Sequence, residues 1–189
     1  MATRFSMQRR LRMSRPSLRV RSKPPRQRTP RGEDFTAANL GCALSLQKCT
    51  ECGKTNYPPR EVCEACLHDE LLWTPADTSG RLLQAVELHH SLWEFFKRRM
   101  KKNTWPIASV RLAAGPVVYA HLALELFELK GASDIPSGSA VAVFSHSDSA
   151  NQSVLIAVPG SVDVSEAKNR LQIADSLGIT TVAEREATL

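Results

Sequence analysis

The chain has 189 residues, 42% of them apolar, which suffices for one ordinary domain with a small satellite. Its longest unbroken apolar runs are about five residues, far short of the roughly 20 that a membrane-crossing helix needs. The formal charge is +6, but the basic N-terminus is followed by no apolar leader-type segment, so the chain reads as cytoplasmic, where thiols stay reduced.

Residues 1–32 read as a disordered basic tail. Residues 1–31 hold eleven Lys/Arg and no acid, leaving fourteen Lys/Arg against nineteen Asp/Glu in the rest. Like charges repel, and prolines at 16, 24, 25 and 30 interrupt any helix. A nucleic-acid arm, an organelle transit peptide and a contact for an acidic partner are the functional readings. A functionless extension is the alternative, with Met7 or Met13 as the true start.

Residues 33–47, EDFTAANLGCALSLQ, suggest a short helical lead-in. Cys42 within it has no Cys or His at ligand spacing and reads as a small buried side chain. Residues 48–75 follow, with Cys49/Cys52 and Cys63/Cys66 forming two Cys-x-x-Cys pairs ten residues apart. Each such turn aims two sulfurs at one point, and two facing turns complete a tetrahedron about 2.3 Å from a metal ion. So short a segment buries little apolar surface, so the metal serves as its core. Four thiolates on a divalent ion leave a formal −2, which Lys48, Lys54 and Arg60 are placed to offset. The expected cofactor is structural zinc, though iron fits the same ligands. A redox pair of thioredoxin type would need only one such turn, between a strand and a helix. With every ligand a cysteine, no position is left for a reactive water.

From residue 76 to 160 the pattern is that of strands. Segments 81–86 (RLLQAV), 107–112 (IASVRL), 117–122 (VVYAHL), 140–144 (AVAVF) and 153–158 (SVLIAV) predict five short strands, suited to a small closed barrel. Ala108, Val110 and Leu112 share one face, as do Val118, Ala120 and Leu122, with AAGP as the hairpin turn between them. Between the first two strands lies HHSLWEFFKRRMKKNTW, residues 89–105. As a helix it would carry a stripe of Leu92, Trp93, Phe96 and Met100 flanked by Lys97, Arg98, Lys101 and Lys102. Such a stripe either packs on the barrel, anchors a partner enzyme, or sets cations for the phosphates of coenzyme A. Residues 161–189 hold a C-terminal amphipathic helix and tail. Asp163 and Glu166 suggest a capping box, Val164, Ala167, Leu171, Ala174 and Leu177 a buried face, and Gly178 the stop.

No catalytic set emerges. Among His68, His89, His90, His121 and His146 only His121, alternating with Tyr119, is placed to line a groove. The His89-His90 pair points to opposite faces if it lies on a strand, and no Ser or Cys has a nucleophile setting.

Taken together, the residues resemble the zinc-ribbon OB-fold family, a rubredoxin-like ribbon joined to an OB barrel. The likeness rests on Cys49/Cys52, Pro58-Pro59-Arg60, Cys63/Cys66, Trp73 and Ser79-Gly80, with WPIASVRLAAGPVVYAHL and IPSGSAVAVF downstream. It covers about residues 44–158. Members of that family assist thiolases and related acyl-CoA enzymes, bridging thiolase and hydroxymethylglutaryl-CoA synthase or serving thiolase-like aldolases and hydratases of steroid and lipid breakdown. The resemblance implies a non-catalytic subunit that binds a thiolase-fold enzyme and shapes the path of coenzyme A thioesters. Two features depart from the family: its loop in place of 89–105 is shorter and less charged, and its aromatic-rich helix before the ribbon is represented here only by Phe35. A single-stranded nucleic-acid binder is the rival reading, for which the barrel strands offer only Tyr119, Phe144 and Phe127 as stacking aromatics.

Overall fold

The structure, a computed structural model, describes residues 29–90, 100, 104–148 and 151–179. The chain divides into two units, one of residues 25–87 with 106–189 and one of residues 1–24 with 88–105. Residues 1–28 of the basic tail fall outside the described residues; its last residues do not stay disordered as expected, because Pro30, at the first turn where a missing N–H costs nothing, opens a helix rather than interrupting one.

Helix α1 spans Pro30–Ala38, with Pro at its first turn and the Thr29 hydroxyl accepting from Gly32 N at 3.2 Å. It starts earlier and stops sooner than the expected 33–47 segment. Asn39 ends it: its amide donates to Phe35 O (2.9 Å) and Ser45 O (3.0 Å) and accepts from Ser45 N (2.8 Å). Gly41, at φ +79°, then turns the chain. The residues that follow are strand because both edges of β1, Ser45–Cys49, are paired. Strand β2, Thr55–Asn56, lies on one side and β3, Leu71–Pro75, on the other, giving the order β2-β1-β3.

Five strands close the barrel in the order β4-β5-β6-β8-β7. They are β4 (Ser79–Leu88), β5 (Trp105–Leu112), β6 (Val117–Leu122), β7 (Ala140–Ser147) and β8 (Ser153–Pro159). Closure is made where Ser79 pairs with Ala142, and β6 meets β8 in parallel at His121 and Leu122. The expected faces are the observed ones. Ala108, Val110, Leu112, Val118, Ala120 and Leu122 are all buried, while Tyr119 is 69% exposed. Gly115, at φ +109°, turns the β5–β6 hairpin, and Leu112 N donates to Pro116 O at 3.0 Å.

Gly80 is required by close approach. A Cβ there would lie 2.7 Å from Val110 Cγ1 and 2.9 Å from Arg111 O. Gly80→Ala is therefore expected to destabilise the barrel by about 1–3 kcal/mol, read as a lower urea midpoint at unchanged slope.

Helix α2, Ala167–Ser176, packs Ile173 and Ala174 with Val164 against Phe144, Ile156 and Val158. Its inward face agrees with the expected stripe at Val164, Ala174 and Leu177 and departs from it at Ala167 and Leu171, which are exposed while Arg170 and Ile173 turn inward. The expected capping box does not form. Glu166 makes no side-chain cap, and Asp163 accepts from Ser165 N at 2.8 Å. The helix begins only at Ala167 with Glu166 itself at the N-cap, so the two acids do not occupy the places the box needs; Arg170 Nη1 donates to Val164 O (2.8 Å) and Ser165 O (2.6 Å), tying the helix to its own lead-in. Gly178, at φ +63°, ends the helix as its position suggested. Among the described residues no helix is long and apolar enough to cross a membrane.

Candidate metal centre

The two Cys-x-x-Cys turns have the same backbone. In the first, Cys49 N donates to Lys54 O (2.9 Å) and Gly53 N to Cys49 O (3.0 Å); in the second, Cys63 N donates to His68 O (2.8 Å) and Leu67 N to Cys63 O (3.0 Å). Both turns need a left-handed residue after their second cysteine, supplied by Gly53 (φ +71°) and Leu67 (φ +62°). They bring the four Sγ atoms within 4.8 Å of one another. Cys49 and Cys66 are 3.5 Å apart and Cys52 and Cys63 3.6 Å, near the roughly 3.8 Å edge of a zinc–thiolate tetrahedron. The donor set and its spacing fit a metal ion. Among the described residues no other group of three or more Cys, His, Asp or Glu is so placed.

The electrostatics favour a cation at the centre. Backbone N–H groups of Cys66 and Ala65 aimed at Cys63 pull its pKa down to about 6 against the opposing effect of burial. Ala65 N lies 3.4 Å and Asn56 Nδ2 3.8 Å from that sulfur. At Cys66 the His68 N–H favours the thiolate, yet burial and the neighbouring Cys52, Cys49 and Cys63 outweigh it and push the pKa up to about 12. Four sulfurs this close cannot all ionise without a positive ion among them.

Of the cations expected to offset that charge, Lys54 and Arg60 instead converge on Glu64, at 2.9 and 3.3 Å. Lys54 is held above its usual pKa first by that hydrogen bond, with smaller contributions from Cys63 and Cys52. Lys48 is exposed.

Sequence reasoning missed the buried amides that shape the ribbon. Gln47 accepts from Arg60 N (2.7 Å) and donates to Arg60 O (3.1 Å), clamping the Pro58-Pro59-Arg60 step. Asn56 accepts from Glu64 N (3.0 Å) and donates to Lys54 O (3.0 Å), joining the two cysteine turns. A polar residue at an inward position of an alternating strand, as in LSLQK, was the available signal. Cys42 lies apart from the cluster, half-buried, its Sγ donating to Ala38 O at 3.4 Å. Trp73 packs on Phe35 with ring centroids 6.0 Å apart.

The remaining candidates are scattered. His89 and His90 are exposed just beyond β4, His68 Nε2 lies 3.8 Å from Glu70, and His121 and His146 are half-buried on β6 and β7. Trp93, Phe96, Lys97, Arg98, Lys101 and Lys102 lie outside the described residues. Phe144 is fully buried and Phe127 packs against the core, so Tyr119 alone of the three barrel aromatics faces solvent. A groove of about 830 Å³ at one end of the barrel went unforeseen; Arg81, Arg111, Thr78, Ser161, Asp77 and Asp163 are among its lining.

Comparison with known proteins agrees with this architecture. Residues 43–71 match the model of the ChsH2 rubredoxin-like zinc ribbon domain. Among solved structures, the chain is similar to one described as "Ltp2-ChsH2(DUF35) aldolase", with TM-score 0.54 and 19% identity over 72% of this chain and 98% of that one. It is also similar to a DUF35-family protein of unknown function from Sulfolobus solfataricus, with TM-score 0.40 and 16% identity over 60% of this chain and 77% of that one. At 19% identity the first of these likenesses is one of fold. No curated protein matches the chain.

Proposed function

From the premise that this chain carries a ChsH2-type zinc ribbon ahead of an OB-like barrel, we propose that it is a non-catalytic partner subunit of a thiolase-like acyl-CoA enzyme. The observation that carries the reading is the ribbon match over residues 43–71. The fold likeness to a structure whose description joins ChsH2 to Ltp2 as an aldolase supports it. Cys49, Cys52, Cys63 and Cys66 would hold one structural zinc ion, whose contribution is to fix the ribbon's shape rather than to activate a substrate. The groove bearing Arg81 and Arg111 is where contact with the phosphates of a coenzyme A thioester is assigned, because guanidinium groups pair with phosphate through forked hydrogen bonds. On sequence alone, Trp93, Phe96, Lys97, Arg98, Lys101 and Lys102 are assigned to the partner or to those same phosphates. The rival nucleic-acid reading is weakened by the loss of Phe144 to the core, since a stacking platform needs successive exposed aromatics.

Co-expression with the thiolase-like enzyme encoded nearest to this chain tests the proposal. The two are expected to elute together through high salt, and the enzyme's turnover of acyl-CoA to drop at least about tenfold when this chain is omitted, a difference of about 1.4 kcal/mol in transition-state stabilisation. An enzyme that is fully active alone and never associates with the chain overturns it. Binding of nucleic acid that disappears steeply with salt would support the rival.

A further inference from the structure

The two cysteine turns are built alike, but the residue after the second cysteine differs. Gly53 occupies that place in the first turn at φ +71°, and Leu67 occupies it in the second at φ +62°. The backbone needs the left-handed conformation at both, because Gly53 N and Leu67 N each donate back to the first cysteine's carbonyl at 3.0 Å. Glycine adopts it freely, whereas a bulky L-residue there is a genuine outlier. The fold covers little of the Leu67 side chain in return: it is 73% exposed, the most exposed large apolar residue among those described. A strained backbone holding an apolar side chain in water is poor for stability and suited to contact with another molecule.

Charge around Leu67 says what kind of surface fits. The segment EVCEACLHDE, residues 61–70, holds four acids and no Lys or Arg. Glu64 is engaged by Lys54 and Arg60, and Glu70 accepts from the Thr50 hydroxyl at 3.1 Å. Glu61 and Asp69 are exposed on either side of the turn. We propose that Leu67 is an anchor residue for the partner enzyme, inserting into an apolar hollow of the thiolase-like subunit edged by lysine or arginine. The inference rests on the partner reading above and names the part of the ribbon that makes the contact.

Because stability and binding pull in opposite directions at this residue, the test is specific. Leu67→Gly and Leu67→Asn both accept the left-handed conformation and both remove the apolar side chain. Each variant is expected to keep its metal content and a melting temperature equal to or above that of the parent. Affinity for the co-expressed thiolase-like enzyme, measured by titration calorimetry, is expected to fall at least about tenfold. Parent and variants that bind the enzyme equally well would show Leu67 to be a mere structural substitute for glycine, with the partner reading intact. A parent chain that does not bind the enzyme sinks both.

Discussion

Cys63→Ser is expected to lower the metal content from one ion per chain to well below one and to unfold the ribbon. Cys63 is completely buried, and its sulfur is the one on which the Ala65 and Asn56 N–H groups converge. A serine hydroxyl does not ionise near neutral pH and is a poor ligand for zinc, so the tetrahedron opens at its most enclosed corner. Structural zinc supplies about 10–16 kcal/mol of apparent binding free energy in small peptides, comparable with the whole stability of an ordinary domain, about 5–15 kcal/mol. The ribbon's sheet has only three strands, one of them two residues long, and cannot replace that contribution. Hydrogen exchange separates the effect from general unfolding. Amides of residues 45–75 should lose protection while the strands of the barrel keep theirs. Undiminished metal and unchanged protection in the variant would falsify the four-cysteine centre.

Phe35→Ala is expected to cost about 3–5 kcal/mol, the usual range for emptying a buried aromatic site. Phe35 is 6% exposed and is the aromatic of α1. Its ring centroid lies 6.0 Å from that of Tyr57, at an interplanar angle of 66°, and 6.0 Å from that of Trp73, at 52°. Tyr57 precedes the Pro-Pro-Arg step and Trp73 lies in β3, so one ring joins the helix to two parts of the ribbon. The same side chain belongs to the apolar cluster that includes Leu44, Leu46, Val143 and Leu155, so its loss is felt in the barrel as well. Phe35→Leu, which retains most of the volume, should cost less than half as much. Urea denaturation followed by tryptophan fluorescence reads both, since Trp73, one of the three tryptophans of the chain, lies against Phe35. A loss below about 1 kcal/mol for the alanine variant would mean that the helix is an accessory to the fold rather than a part of its core.

The lead-in shows what a single aromatic can do: Phe35, the one aromatic of α1, meets two rings of the ribbon, Tyr57 and Trp73. Residues 45–47 looked like the end of a helix because Leu44, Leu46 and their small neighbours carry no decisive period. They form the central strand because partners lie on both sides.

What the sequence determined by itself are the features set by short-range spacing. The Cys-x-x-Cys turns, the alternation of Ala108, Val110 and Leu112, the AAGP hairpin and the stop at Gly178 each depend on residues a few positions apart, and all appear in the structure. Only the tertiary structure decided the features that depend on distant partners. Gln47 could be assigned to the Pro58-Pro59-Arg60 step only once Arg60 was seen thirteen positions away against it, and the groove exists only where the closing strands bring Arg81 and Arg111 to one end of the barrel. The inward face of α2 was likewise decided in part by distant groups: Val164 and Ala174 of the expected stripe are buried, but Ile173 and Arg170, the latter bonded to two carbonyls of the lead-in, take the places of Ala167 and Leu171. A periodic pattern states which residues can share a face, but hydrogen bonds and neighbours supplied by other segments select which face is buried.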